Sequence, residues 1–251
     1  MDYESKAEKL KKVLKLQNEP VGVKYTNKPP EQKEAGYYPV CGAIPAAAEG
    51  KTVVLSKETC ACQGGINHIG LSKEIPAPEG ATIGEMLVKG EKLWANLAAF
   101  HRASEATRKI AEPPYGLGNN VVFYPLREGT YQPDLVILLV NAEQACRLVT
   151  LDQFWDGKET STEMRGSLCW SSVTYPLVSG NLNVSLGDTS ARRMENWDSN
   201  LLIVSIPERR LDDILEAMDL CTAGTAKPAE FFQKMTEKMV SRKYRASDLR
   251  P

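Results

Sequence analysis

Alternating apolar and polar stretches predict helices and strands along the entire chain. Near the N-terminus, Leu10, Val13 and Leu14 recur at helical spacing among lysines and glutamates, which predicts an amphipathic helix that ends before Pro20. The apolar run Leu135–Val140 is short, continuous and rich in branched side chains, as is typical of a buried strand. The expected helices are 4–16, 83–89, 92–110, 143–154, 211–220 and 229–242, and the expected strands are 21–25, 52–55, 121–124, 134–140, 168–178, 182–186 and 201–206.

Because helices and strands mix throughout, the sequence predicts the α/β or the α+β class, with mixed sheets and flanking helices. The chain also resembles itself: residues 50–62 align without gaps on residues 180–192, with four identities in thirteen positions. This alignment predicts two duplicated halves, 1–130 and 131–251, related by a pseudo-twofold axis. Unrelated glycine turns are the alternative explanation. A cleft between two such halves is a favoured place for a ligand.

Composition excludes several classes of protein. Of the 251 residues, 42% are hydrophobic and 25% are charged, as in folded domains and unlike disordered chains. The 31 Lys and Arg residues balance the 32 Asp and Glu residues, so no positive field attracts nucleic acid. The longest apolar run has six residues, far below the roughly 20 that cross a bilayer, and the N-terminus lacks the apolar core of a signal peptide. We therefore expect a cytoplasmic protein without nucleic-acid or membrane partners. The sequence does not decide whether the protein is a homo-oligomer.

Most of the candidate chemistry belongs to six cysteines. In a reducing compartment such thiols serve as metal or cluster ligands, redox groups or buried side chains more often than as disulfides. The chain has only two histidines, His68 and His101, which disfavours a histidine-based zinc hydrolase and a Ser-His-Asp triad. The cysteines are Cys41, Cys60, Cys62, Cys146, Cys169 and Cys221.

Four of the cysteines form the predicted metal site: Cys41, Cys60, Cys62 and Cys169, with Gly64 and Gly65 beside them as predicted ligand-binding residues. The glycines follow the C-x-C pair, where backbone N–H groups can approach an ion or cluster closely. The two single cysteines stand at corresponding places ahead of the self-similar segments, so a cleft would gather three or four thiols. Thiolates suit an iron–sulfur cluster, zinc or copper(I), although this spacing matches neither ferredoxins nor zinc ribbons. The alternatives are small buried side chains and thiol chemistry without a metal.

A polar segment of the second half forms a second candidate site. Alternation places Asn181, Asn183 and Ser185 on one strand face, where amides and a hydroxyl can orient a polar ligand. Arg192 follows and can hold a carboxylate or phosphate with two hydrogen bonds. His68 is a further candidate ligand or acid-base group. The alternative for the segment is a solvated strand and turn.

Several short motifs follow one another along the chain. They are Pro20-Val21-Gly22-Val23, Cys41 with Ala46-Ala47-Ala48-Glu49-Gly50, Cys62-Gln63-Gly64-Gly65 with Gly70-Leu71, Pro133-Asp134-Leu135-Val136, Asn141-Ala142-Glu143-Gln144, Cys169, and Gly187 with Arg192. This order resembles the family called domain of unknown function 169, over residues 8 to about 220. The resemblance implies a setting in archaea or anaerobic bacteria. It also implies that Cys41, Cys62 and Cys169 are recurring cysteine positions, whereas Cys60 is less typical, so the ligands number three or four.

The leading hypothesis is a cysteine-ligated iron–sulfur or other thiophilic-metal protein with a redox or accessory role in anaerobic metabolism. Its partner would be a small anionic or polar molecule, or a redox partner protein. Two alternatives stay open: a metal-free module that binds a small molecule in the cleft between the halves, and an enzyme with a reactive cysteine thiol. The sequence does not decide whether the protein is an enzyme.

Overall fold

The computed structural model describes residues 1–34, 36–74, 82–225 and 230–243, so the last residues of the predicted second half lie outside it. The strands are β1 (Val21–Thr26), β2 (Val53–Ser56), β3 (Asn120–Pro125), β4 (Leu135–Val140), β5 (Asn183–Ser185) and β6 (Leu202–Pro207). The α-helices are α1 (Tyr3–Leu14), α2 (Val40–Ala48), α3 (Gln63–His68), α4 (Ile83–Glu85), α5 (Leu97–Ile110), α6 (Ala142–Asp152), α7 (Tyr175–Ser179), α8 (Thr189–Met194), α9 (Glu208–Leu220), α10 (Thr222–Thr225) and α11 (Glu230–Lys243). Among these described helices, none has the length and apolarity needed to cross a membrane.

The six strands form one sheet in the order β2-β3-β1-β4-β6-β5. All neighbouring strands run antiparallel, so the mixed α/β protein has one antiparallel sheet where the sequence predicted mixed sheets. At the centre, Val23 of β1 stands opposite Leu135 of β4, and Val21 stands opposite Ile137. Because side chains alternate along a strand, these four residues lie on the same face of the sheet.

That face, which we call the site face, is covered by α2, α3, α8 and the helical residues 168–179. Its core contains Val23, Phe123 and Leu135 from the strands and Ile44 from α2, all of them fully buried. Close packing of these apolar side chains fixes the helices over the sheet. Cys41, Cys60 and Cys169 of the predicted metal site pack in this cluster, and Cys62 caps α3.

The opposite face is covered over the second half by α1, α6 and α9. Leu10 and Leu14 of α1 pack in one buried cluster with Val136 and Leu138 of β4 and with Ile214 of α9. The N-terminal helix therefore packs on strands of the second half, although it belongs to the first half along the chain.

The predicted strand at residues 168–178 is wrong, because residues 168–179 are helical. A π-helical turn, Trp170–Thr174, leads into α7. Residues 170–176 are all buried, so no exposed polar face marks a helical period in the sequence. A short buried run rich in β-branched and aromatic residues has the same pattern as a buried strand.

The strand order is symmetric about the boundary between β1 and β4. Outward from this boundary, the sheet contains the first, third and second strands of each half. In the first half α2 follows the first strand and α3 the second, and in the second half α6 and then α7 follow the first strand and α8 the second, so α6 has no counterpart in the first half. The strand order supports the predicted duplication, which stays a prediction.

Candidate functional site

Cys41 lies near the start of α2, close to the second half of the molecule. The helix begins after Pro39 and buries almost all of its small apolar residues, which leaves Cys41 only 5% exposed. The next residue is Gly42, whose missing side chain makes room for the carboxylate of Glu195. A Cβ atom on Gly42 would lie 2.8 Å from Oε2 of that carboxylate. Cys41 is therefore placed where α2 meets the end of α8.

Cys60 and Cys62 lie in the loop between β2 and α3. Cys62 caps α3, because its sulfur accepts a hydrogen bond from the Gly65 N–H at 3.3 Å. The Cys60 thiol donates to the backbone oxygen of Cys62 at 3.6 Å. A Cβ on Gly65 would lie 3.0 Å from Val40 and 3.5 Å from the Cys60 sulfur. The glycine thus lets α3 approach the start of α2, next to Cys41.

Cys169 brings a thiol from the second half. It is the second residue of the helical segment 168–179, the place that Cys41 has in α2, and the π-helical turn follows directly. Asp188 holds this region together: its Oδ2 accepts from the Leu168 N–H at 3.0 Å, and its Oδ1 accepts from the Ala191 N–H at 2.7 Å. One carboxylate therefore joins the start of the Cys169 helix to the start of α8. Turns of the π type are frequent at functional sites.

The sulfur of Cys169 lies within electrostatic range of the other three cysteines of the predicted metal site. Burial raises the pKa of Cys169 well above its usual range, and repulsion from Cys62, Cys41, Asp188 and Cys60 raises it further. Burial also raises the pKa of Cys41 to about 12 and that of Cys60 to about 11. These three thiols are therefore neutral at pH 7 unless a bound cation stabilises their charged forms.

His68 ends α3 and adds a titratable group on the same side of the sheet. Burial lowers the pKa of its imidazole to about 4, with Arg108 adding to the lowering and Asp188 opposing it. The ring is therefore neutral at pH 7. The backbone oxygen of His68 accepts a hydrogen bond from Thr174 in the π-helical turn. This bond joins the end of α3 to the helix that carries Cys169.

Residues 82–96 run across the site from the first half to the second. Ile83 of α4 lies against Gly64, where a Cβ atom would be 3.0 Å from its Cδ1. Glu91 accepts a hydrogen bond from the hydroxyl of Ser190 at 3.0 Å. This segment therefore touches both α3 and α8.

Asn183, a predicted ligand-binding residue, lies beneath the π-helical turn. Its side chain is fully buried, donates to the Ser171 carbonyl at 2.7 Å and accepts from the Glu163 N–H at 2.8 Å. Asn181 lies in the turn before β5, where its N–H donates to the Ser179 hydroxyl at 3.2 Å. The two amides are thus held within the second half, and the structure does not bring them to the cysteines.

The predicted anion-binding residue Arg192 is engaged with the backbone. Its guanidinium donates to the carbonyl oxygens of Leu186 at 2.7 Å, of Asp198 at 3.1 Å and of Leu201. These bonds fasten the loop between α8 and β6. Most of the bonding capacity of this side chain is therefore used inside the protein.

Sequence analysis missed the two acids of the site, Asp188 and Glu195. A signal for Asp188 existed, since it aligns with Glu58 in the self-comparison, but helix-capping acids are common. The remaining cysteines lie elsewhere, with Cys146 exposed on α6 and Cys221 buried at the end of α9. Within the described ranges, no three His, Cys, Asp or Glu side chains are grouped as the ligands of one metal ion.

Comparison with known proteins identifies the family. A family model named DUF169 and described as an uncharacterised ArCR family matches residues 9–217. This chain belongs to the DUF169 family. A relative of this DUF169 protein is the Uncharacterized protein MJ0308 of Methanocaldococcus jannaschii, which is 26% identical over 222 residues that cover 85% of this chain and 92% of the relative. No solved structure matches the chain significantly.

The DUF169 match contains the complete candidate site. Cys41, Cys60, Cys62, Cys169 and Asp188 all fall within the matched residues. The family description names no activity, so the function of this DUF169 protein has to be argued from the chemistry of the site.

Proposed function

We propose that this protein binds a thiophilic metal centre, in the first place an iron–sulfur cluster, through Cys41, Cys62 and Cys169, with Cys60 beside them. The observation that carries the proposal is the convergence of four cysteines from three chain segments and both halves on one face of the sheet. Thiolates are the usual ligands of such clusters. The centre then serves a redox or accessory role in anaerobic metabolism, with a redox partner protein.

The charges around the sulfurs favour a cationic guest. Besides burial, the groups that raise the pKa of Cys169 are three other thiols and the carboxylate of Asp188. The carboxylate of Glu195 acts on Cys41 in the same direction. Bound iron would neutralise the thiolates and remove the repulsion between them. A small anion would gain no such attraction at this place.

We propose a cluster rather than a single metal ion because a cluster is larger. Irons and sulfides lie between the cysteines of a cluster, so these cysteines stand further apart than the ligands of one ion. The three proposed ligands come from three segments, α2, the C-x-C loop and the helix 168–179, and among the described residues no three such side chains are grouped as the ligands of one ion. Gly65 supports this arrangement by letting two of these segments approach.

The two other hypotheses have less support from the site. A reactive cysteine needs a lowered pKa, whereas burial raises the pKa of Cys41 and of Cys60, and the charged groups that act on them are acids or thiols. A metal-free ligand cleft relies on Asn183 and Arg192, whose polar groups are engaged inside the protein.

The test is metal analysis of protein purified without oxygen. The wild-type chain is expected to contain about four irons and four acid-labile sulfides per chain if the cluster is of the [4Fe–4S] type. Cys41→Ser, Cys62→Ser and Cys169→Ser are each expected to lose most of this iron. Cys146→Ser is the matched control, because Cys146 is exposed on α6 and should leave the metal content unchanged.

Two results would contradict the proposal. One is a wild-type protein that stays free of iron, zinc and copper after anaerobic purification and after reconstitution with iron and sulfide. The other is a set of three cysteine variants that fold and keep the wild-type metal content.

A further inference from the structure

We propose that a cavity at the boundary between β1 and β4 binds a small zwitterion, such as a free α-amino acid. Its volume is about 450 Å³, which is within the usual range of pockets for small molecules. Four charged side chains line it: Lys24 from β1, Asp134 directly before β4, and Glu208 and Arg209 at the start of α9. No cysteine is among the described residues that line the cavity, so this inference goes beyond the proposed metal centre and does not depend on it.

The first support is that the two halves place an arginine in corresponding positions. Each of the strands β3 and β6 ends at a proline, and Arg127 and Arg209 stand two residues beyond these prolines. A Cβ atom on Gly50 would lie 3.8 Å from Nη2 of Arg127. A Cβ atom on Gly180 would lie 1.6 Å from Nη2 of Arg209. Gly50 and Gly180 are aligned with each other in the self-comparison and both have a positive φ, so the two arginines correspond.

The two arginines differ in what surrounds them. In the first half, Nη1 of Arg127 lies 3.6 Å from a carboxylate oxygen of Glu19. The carbonyl of the next residue, Pro20, accepts the N–H of the residue after β3 at 2.8 Å, and the carbonyl of Asp134 accepts the N–H of the residue after β6 at 3.2 Å. Pro20 and Asp134 therefore correspond, and Pro133 stands in the place of Glu19. The second half thus lacks the carboxylate that the first half places beside its arginine.

Arg209 is oriented by the backbone and has donors left for a ligand. Its Nε and Nη2 atoms donate to the Gly180 carbonyl at 3.2 Å and 2.9 Å, and Nη2 also donates to the Ser179 carbonyl at 3.2 Å. These bonds fix the plane of the guanidinium at the end of α7. The Nη1 atom carries two N–H donors and makes no hydrogen bond to any residue that the structure describes. A ligand carboxylate can therefore bind here, in the place that corresponds to the carboxylate of Glu19.

The other charged groups of the cavity decide which kind of carboxylate fits. Lys24 and Asp134 form an ion pair at 2.8 Å. One carboxylate oxygen of Glu208 accepts a hydrogen bond from the Tyr3 hydroxyl at 2.8 Å, and burial raises the pKa of this phenol, so the phenol is neutral at pH 7. The charge of Glu208 is therefore not cancelled by its partner. Glu208 offers a negative charge next to the positive charge of Arg209.

These charges favour a ligand that carries both signs. Two cations and two carboxylates leave the cavity without net charge. Arg209 would attract a simple anion while Glu208 repelled it, and a simple cation would meet the reverse. An α-amino acid carries an ammonium group next to its carboxylate, so it is attracted at both ends. Charge-assisted hydrogen bonds are also stronger than neutral ones, which favours this ligand over a neutral molecule.

The test is isothermal titration calorimetry of the full-length protein with each of the standard α-amino acids in turn. At least one of them should bind with a Kd below about 1 mM, and its deamino analogue should bind about tenfold more weakly or worse. Arg209→Gln should weaken the binding of that amino acid about tenfold or more, because it removes a charged donor. Arg127→Gln is the matched control, since it removes the corresponding arginine of the first half and should bind like the wild type.

Glu208→Gln tests the other end of the ligand. The amide oxygen can still accept from the Tyr3 hydroxyl, but the side chain has no charge to attract an ammonium group. This variant should therefore lose the preference for the amino acid over its deamino analogue. Circular dichroism and the melting temperature show whether each variant is folded.

Four results would overturn the inference. One is that no α-amino acid binds to the wild-type protein in this range. Another is that the deamino analogue binds as tightly as the amino acid, which would indicate a site for simple anions. The third is equal binding by Arg209→Gln and Arg127→Gln. If Arg209→Gln does not fold, Glu208→Gln decides, and an unchanged preference in that variant is the fourth such result.

Discussion

The stability of the folded protein depends on pH through the imidazole of His68. In the unfolded chain this ring has a pKa near 6.5, and burial in the folded protein lowers the pKa to about 4. Between these two values the unfolded chain binds a proton that the folded protein does not bind. Stability must therefore fall as the pH decreases from 6.5 to 4, by up to about 3 kcal/mol for the full difference.

Replacing this histidine should remove that part of the pH dependence. We expect the free energy of unfolding of His68→Gln to change less between pH 6.5 and pH 4 than that of the wild type. The control is His101→Gln, since His101 is exposed on α5. Urea unfolding followed by circular dichroism across this pH range measures the difference. Parallel pH profiles for the wild type and His68→Gln would show that the ring is not buried as described.

Single residues also show what the sequence could and could not predict about the site. The spacing of Cys60 and Cys62, with the glycines after them, singled out a loop that the structure places beside Cys41 and Cys169. Asp188 could not be chosen in this way, because an acid before a short helix is ordinary helix capping. Its significance comes from a hydrogen bond to the start of another helix, twenty residues earlier in the chain.

Among the elements, the helix 168–179 is the one that the sequence described least well. Three polar side chains of the strands beneath it hold it in place. Asn183 donates to the Ser171 carbonyl at 2.7 Å, Ser185 bonds the Ser171 hydroxyl at 2.6 Å, and the Ser205 hydroxyl donates to the Ser172 carbonyl at 2.7 Å. Buried polar groups must be satisfied within the protein, and the π-helical turn places its groups against these side chains. This pairing is tertiary, so no local pattern could reveal it.

Asn183→Ala should therefore destabilise the protein, although the sequence alone suggested a ligand role for this residue. The substitution leaves the buried Ser171 carbonyl without its partner, at a cost of about 1–3 kcal/mol, and also removes the partner of the half-buried Glu163 N–H. Asn181→Ala, two residues earlier in the turn, should change the free energy of unfolding by less than about 0.5 kcal/mol. Chemical denaturation measures both. Equal stability of the two variants would contradict the structural role of Asn183.

The long elements were predicted correctly because the residues that they bury form apolar patterns in the sequence. The strands β1, β3, β4 and β6 and the helices α1, α6 and α9 coincide with the apolar patterns to within a few residues. The helices α3 and α8 have six residues each, which is too short for a helical period to show. Cys62 and Asp188 are the N-caps of these two short helices, so pattern analysis is weakest where the candidate site is built.

For the entire chain, α1 is the element that binds the halves into one folding unit. Leu10 is fully buried against the cluster of the second half, and Lys6 and Lys9 pair with Asp212 at 2.7 Å and with Asp219 at 2.6 Å on α9. The N-terminal helix of the first half thus packs against the second half, and β1 and β4 pair in one sheet. A boundary near residue 130 would therefore divide a continuous structure.

We expect one cooperative unfolding transition as a consequence. Circular dichroism and tryptophan fluorescence should give the same midpoint in urea, since neither half keeps its core without the other. Leu10→Ala should lower that common midpoint, at a cost of about 2–5 kcal/mol for truncating a buried leucine. Two separate transitions, with only one shifted by Leu10→Ala, would show that the halves fold independently.

The most direct test of the account is anomalous diffraction from crystals of the wild-type protein grown without oxygen. Data collected on either side of the iron absorption edge locate any iron within the molecule. We expect a strong anomalous peak on the site face, bounded by Cys41, Cys62 and Cys169. An iron-free site with protonated thiols, in crystals of protein that had been reconstituted with iron and sulfide, would contradict it, as would iron bound at another place.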